Sequence, residues 1–490
     1  MDSRLYLRAL PLVLLLIVAV AAPLIVTILG LPQPGTVNFH ALGPLSLPVG
    51  PSGAHPFGVD NLGRDVFTRV LFGARTAVAL VLAATALTGA VAYLLRAAAG
   101  NRYGAPVIRY LLELLDALPA VMIGLLLWVA GIQPSLLLIG LVLLLDGLPA
   151  SVAGIRQRDL QSARAALELI ARNLAVMAAL AFFALGGGAV NWGGMVFAAI
   201  VTIREGINAW WWLLAPALAI TLSIAAVRWL AAALPAPPVT DSRTSLRAAL
   251  ALVIGVLVLC WAALGGTPAF SAALAHLSAS VSVVLIPVVV CALGALALAA
   301  LPPLRLRGRA AAALSAVWLV LSSTPVGIVA GFLLWLLSSD VGRLPWLPGA
   351  GSYAGLTTAP GSWADALILP WLALSFAIVS PRGVGPDRRL DLAARAAGLQ
   401  RSRIFRRRSR LRAVDLLALP SRRLSAIVSF ALVVEVVFEV PGLGSLARDS
   451  IVAGHPAAVS GAAAITALAT VALLFVLALA RLLFDPRERR

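Results

Sequence analysis

The amino-acid sequence predicts an all-α, polytopic membrane protein with about 12 transmembrane helices in two six-helix halves. Three observations lead there. The 490 residues are 61% hydrophobic and only 12% charged, with a mean hydropathy of +0.99, whereas a soluble chain carries about 25% charged residues. Several stretches continue for about 20 residues almost without charge, the length that crosses a hydrocarbon core of about 30 Å. The basic residues sit in the gaps between those stretches and favour alternate gaps, as a cytoplasmic positive bias requires.

In chain order the apolar runs of the first half cover 9–30, 74–95, 108–131, 134–153, 168–187 and 211–233. Those of the second half cover 248–265, 279–301, 311–337, 364–381, 424–440 and 459–483. The first run is too long, and too closely followed by others, for a cleaved signal peptide, so a retained helix is expected. With Arg4 and Arg8 inside, the cytoplasmic loops hold Arg96 and Arg102, then Arg156, Arg158 and Arg164, then Arg243 and Arg247, then Arg305, Arg307 and Arg309. They also hold the Arg-rich loop 382–423 and the tail with Arg487, Arg489 and Arg490. The opposite loops are poorer, with Arg64, Arg69, Arg75, Arg204, Arg343 and Arg448. An even span count with both termini cytoplasmic preserves that asymmetry, and shifting the count by one destroys it. The polar, proline-rich segment from Pro235 to Arg243 reads as a linker. It divides the chain into 1–238 and 239–490. The outer loops 34–73 and 338–362 are rich in Gly and Pro and are expected to carry partner contacts.

Composition also excludes. A net charge of +18 raises the question of nucleic acid, but arginines confined to gaps between spans make no solvated basic face, and no nucleic-acid partner is expected. All 38 basic residues are arginine. A phosphate-cradling GxxxxGK[ST] loop needs its lysine, so any ATPase that drives this protein is a separate chain, and ATP and Mg would bind there. Cys260 and Cys291 fall inside apolar runs and read as small hydrophobic fillers. His40, His55, His276 and His455 show no metal-ligand spacing, and no cofactor is expected in the chain.

The stretch His55-Pro-Phe-Gly-Val-Asp-Asn-Leu-Gly-Arg-Asp-Val-Phe-Thr-Arg-Val-Leu-Phe-Gly-Ala-Arg75 is a Gly-punctuated turn leading into a short amphipathic helix. Asp60, Arg64 and Asp65 are able to pair there, and an interfacial helix entering the second span would read the same way. The stretch nevertheless resembles the segment before the second helix in C-type permease subunits of the dipeptide, oligopeptide and nickel ABC importers. Asn191-Trp-Gly-Gly-Met195 and Trp212-Leu-Leu-Ala-Pro216 are similar to that subunit's fifth-to-sixth-helix region. The second half resembles the B-type partner subunit, through Leu344-Pro-Trp-Leu-Pro348, Leu367-Ile-Leu-Pro370, Val433-Val-Glu-Val-Val-Phe-Glu-Val-Pro-Gly-Leu-Gly444 and Asp485-Pro-Arg487. The resemblance implies a C-type half fused ahead of a B-type half, in the fold of type I ABC importer permeases. It implies a bacterial cytoplasmic membrane, two ABC ATPase domains as partners and an extracytoplasmic substrate-binding protein that delivers peptide or a similar small solute. It also marks Asp60, Gly63, Arg64 and Asp65 as the external permease motif.

In such permeases a cytoplasmic helix pair inserts into a groove on the ATPase. Leu392-Ala-Ala-Arg-Ala-Ala-Gly398 resembles it, with Ala393, Ala394 and the turn glycine Gly398, and Leu419-Pro420 resembles its closing pair, although it arrives late. Between them, Arg401-Ser-Arg-Ile-Phe-Arg-Arg-Arg-Ser-Arg-Leu-Arg412 reads equally as an anchor on anionic lipid, each arginine worth about 1 kcal/mol near the surface. In the first half only Arg156-Gln-Arg-Asp-Leu-Gln-Ser-Ala-Arg-Ala-Ala166, with Arg164, resembles the loop. Its turn glycine is missing, so coupling is expected to be asymmetric. Ionisable groups in apolar runs are costly and mark function. Asp116, Asp146, Glu435 and Glu439 are therefore candidates for the translocation path, and Glu113 shares the setting. A structural role is open to each, since Asp116 and Asp146 precede Leu-Pro pairs where a carboxylate can satisfy freed backbone donors. Two other classes remain: a secondary transporter built from repeats, and a degenerate permease acting as a scaffold.

Overall fold

A computed structural model describes residues 3–98, 104–154, 159–188, 190–235, 268–300, 309–340, 342–378 and 421–484. Ala393, Ala394, Gly398, Leu419 and Pro420 lie outside the described residues, as do the run 248–265, Cys260, most of the linker and Asp485-Pro-Arg487.

The architecture is all-helical. Among the described residues no strand forms, and the only pairings are isolated bridges between Val59 and Asp65 and between Ser338 and Leu347. The N-terminal helices are α1 (Ser3–Ile28), α2 (Val66–Ala98), α3 (Gly104–Ala117), α4 (Ala120–Val129), α5 (Leu136–Gly154), α6 (Asp159–Ala181), α7 (Trp192–Arg204) and α8 (Trp210–Ala231). The C-terminal ones are α9 (Pro268–Ala300), α10 (Arg309–Ser323), α11 (Val326–Leu337), α12 (Pro360–Ile378), α13 (Ser421–Phe438), α14 (Leu443–Val452) and α15 (Pro456–Phe484). Six of the described helices are long and apolar enough to cross a membrane, and up to nine spans result if each bent pair is one. This is a multi-pass membrane protein. The sequence count of 12 is not reached among the described residues. One run falls outside them, while α5 offers only the short apolar stretch Leu136–Val152 and α6 carries charge along its first turns.

Among the described residues three helix pairs are sharply bent. The turns between α3 and α4, α10 and α11, and α13 and α14 bend by 104°, 99° and 66°. Each break has a proline: Pro119, Pro325 and Pro441. A proline ring removes a backbone donor and pushes the preceding residue out of the helical region. Among the described residues the order long helix, bent pair, helix, helix, short helix, helix occurs twice, from α2 to α8 and from α9 to α15.

One buried apolar cluster spans both halves. Across it, α15 packs on α4, α10 on α8, α13 on α3 and α4, and α11 on α7 and α8. Small residues permit the approach. Gly327 and Gly331 stand four apart on α11, where an added Cβ would lie 2.5 Å from the Phe182 ring and 2.5 Å from Ile200 Cδ1. Paired small residues at this spacing are how lipid-embedded helices gain close contact without a hydrophobic driving force.

Candidate functional site

The seam between the halves is fastened by arginines that reach from one half to a helix end of the other. The freed carbonyls in the last turn of a helix carry partial negative charge, so a cation there is favourable. Arg204, the last residue of α7, donates from Nη1 to the carbonyls of Val436 (3.2 Å) and Val437 (3.3 Å) at the end of α13. Its Nη2 lies 3.0 Å from Glu439 Oε1. Arg228 of α8 donates to the Ser322 carbonyl and, at 3.4 Å, to Ser323 Oγ, both in the last turn of α10. Arg422, at the start of α13, donates from Nε to Asp116 Oδ1 at 2.7 Å, in the last turn of α3.

The third fastening belongs to a group of four charges. Arg172 of α6 donates to Asp146 Oδ1 of α5 at 2.6 Å, and Arg422 also interacts electrostatically with both of these residues. Two carboxylates and two guanidinium groups make the group neutral, which lowers the cost of holding charge away from water. Asp146 is only 4% exposed. Its Oδ2 and Arg172 Nη1 have no hydrogen-bond partner among the described residues.

The other acids divide. Glu435 is fully buried, and its Oε2 accepts the Gly444 N–H at 2.7 Å, while Ser280 Oγ accepts the Leu443 N–H at 2.8 Å. Together they cap α14 and hold the bend after α13, the work side-chain oxygens do at helix N-termini. Glu439 sits in that bend at φ 53°, a left-handed conformation rare for a non-glycine residue, with its side chain half-exposed toward Arg204. Beside it, Arg448 of α14 stacks 4.6 Å from the Phe197 ring of α7, and Trp335 Nε1 donates to Asn208 Oδ1 at 3.0 Å. Both contacts again cross the seam.

The motif before α2 folds on itself. Asp60 is fully buried and accepts from the Leu62 and Arg64 amides and from Arg64 Nε at 2.7 Å. Asp65 caps α2 through the Thr68 N–H (2.7 Å) and pairs with His55 Nδ1 at 2.8 Å. Gly63 has φ 69°, and a Cβ there would lie 1.9 Å from the Asn38 carbonyl, so no other residue fits. Arg164 stays within its own half, on Glu168 (3.1 Å) and on the Leu234 carbonyl (2.8 Å).

The structure thus brings Asp116 and Asp146 into one group and sets Glu439 at the seam. Asp60, Gly63, Arg64 and Asp65 stand apart, before α2, and Glu435 stands inside the C-terminal half. Sequence reasoning counted Arg204 and the loop holding Arg422 only as loop charge and passed over Arg172 and Arg228; Arg204, Arg228 and Arg422 do the fastening, and Arg172 completes the four-charge group. Arg172 and Arg228 lie inside apolar runs, the signal that singled out the acids. Scans against protein-family models and against curated proteins return no match.

Proposed function

We propose that this chain is the transmembrane permease of an ATP-driven importer, with both halves in one polypeptide, passing a small solute such as a peptide between them. The observation that carries the reading is the seam itself. The Arg422 that fastens α13 to Asp116 lies at the end of the Arg-rich segment 382–423, the part whose sequence resembles an ATPase-docking loop. A push on that segment would reach the four-charge group through Arg422, which belongs to both. Exchange of Arg422 between Asp116 and the spare oxygen of Asp146 would let α13 shift against α3 at little electrostatic cost. On this reading ATP and Mg bind to partner ATPase subunits, solute arrives on an extracytoplasmic binding protein, both termini face the cytoplasm and the membrane is the bacterial cytoplasmic one.

The test is purification of the chain in mild detergent from its own host, followed by native mass spectrometry. One copy with two ATPase domains supports the fused permease. Two copies with two ATPases would make each chain a half-pore. No ATPase under any nucleotide condition would remove the reading. One feature favours a rival: discontinuous helices beside buried charges also build secondary transporters, and α3/α4 with α10/α11 have that form. That rival predicts solute uptake by the chain alone in vesicles bearing an ion gradient.

A further inference from the structure

We infer that the chain holds one phospholipid in a groove between α1, α2, α8 and α10, with an acyl chain inside it and an anionic headgroup on Arg8. The groove has a volume of about 480 Å³. Its walls include Leu14 of α1, Ala74 of α2, Ala226 and Trp229 of α8, and Leu319 of α10. It therefore joins α1 to both halves.

The chemistry of the wall selects the occupant. Ser223 Oγ donates to the Ala219 carbonyl at 2.6 Å, and Trp192 Nε1 donates to the Val70 carbonyl at 2.8 Å. Those two polar groups are spent within the protein, so beside them the groove offers apolar contact. A hydrocarbon chain fits that contact, whereas a polar solute would lose its hydration for nothing. Leu14 is 59% exposed, so the groove opens sideways toward lipid.

Charge selects the headgroup. The Arg8 guanidinium stands 5.9 Å from the Trp229 ring centroid, at one end of the wall. Tryptophan sits by preference at headgroup level, and an arginine beside it supplies a cation where a lipid phosphate would lie. Among the described residues Arg8 meets no carboxylate. An anionic glycerophospholipid satisfies both ends of the groove at once.

The full chain, exchanged against an equimolar mixture of phosphatidylglycerol and phosphatidylcholine in detergent, should retain one phosphatidylglycerol in native mass spectra. Arg8→Gln should keep a bound lipid but reduce the preference for phosphatidylglycerol about fivefold. Leu14→Trp, a change at an exposed position, should fill the groove and lose the lipid. Retention of no lipid by the wild-type chain would overturn the inference. So would equal retention of both lipids, unchanged lipid in both variants, or a lipid-free dimer with a second copy covering the groove. The readout is lipid retention by the isolated chain, so it stands or falls separately from transport.

Discussion

At the residue scale, Glu435 and Glu439 lie four apart in one sequence motif yet do different work. Glu435 is a buried cap on α14, and Glu439 is an exposed partner for an arginine of the other half. Glu435→Ala would leave the Gly444 N–H unmet in the interior, a loss of about 1–3 kcal/mol. Glu435→Gln keeps an acceptor and should cost less. Thermal unfolding in detergent separates them, and an alanine variant as stable as wild type would refute the capping role. The Asp116–Arg422 pair calls for a different measurement. A double-mutant cycle with Asp116→Ala and Arg422→Ala should give a coupling of about 0.5–3 kcal/mol. Additive effects would mean that each residue acts through other partners.

At the element scale the bends matter most. A straight helix has no freed carbonyls in mid-course, so Pro119, Pro325 and Pro441 create the ends that cross-seam contacts use. Arg228 and Arg422 each reach the helix turn just before such a proline, on α10 and on α3. Close packing of α11 is the second requirement. Gly331→Val should wedge α11 away from Ile200 and cost about 1–3 kcal/mol by overpacking. Gly89 of α2 has open space around it, so Gly89→Val should stay within about 0.5 kcal/mol of wild type apart from helix propensity. Equal losses at both positions would show that the Gly327–Gly331 face is not the closely packed one.

At the scale of the whole molecule, the seam contacts predict that the halves stay together without the linker. A protease site placed in the linker near Pro238 and cleaved after folding should leave both fragments co-eluting in mild detergent. Replacing Arg204, Arg228 and Arg422 together by methionine should keep the stems' apolar packing and remove their charge and hydrogen bonds. Fragments of that variant should separate. If they still co-elute, the apolar cluster alone holds the seam and the arginines serve another purpose.

The membrane class and the helical content were legible in the sequence, because hydropathy acts locally along the chain; the positions of the breaks were not. The runs 108–131 and 311–337 read as single spans, yet the structure divides each at a proline, at Pro119 and Pro325. The acids Asp116, Asp146 and Glu439 were legible as costly groups in apolar surroundings. Their partners were not. Arg422 stands 306 residues from Asp116 and Val437 stands 233 from Arg204. No local pattern carries such a pairing, since it depends on how helices rotate and which ends meet. Likewise, the motif at Asp60–Asp65 is distinctive as sequence, but only the Asn38 carbonyl beside Gly63 explains it as a folded turn. Sequence alone determined that this chain lives in a membrane as apolar helices. The tertiary structure decided which charges face one another across the seam, because only packing brings distant helix ends within hydrogen-bond reach.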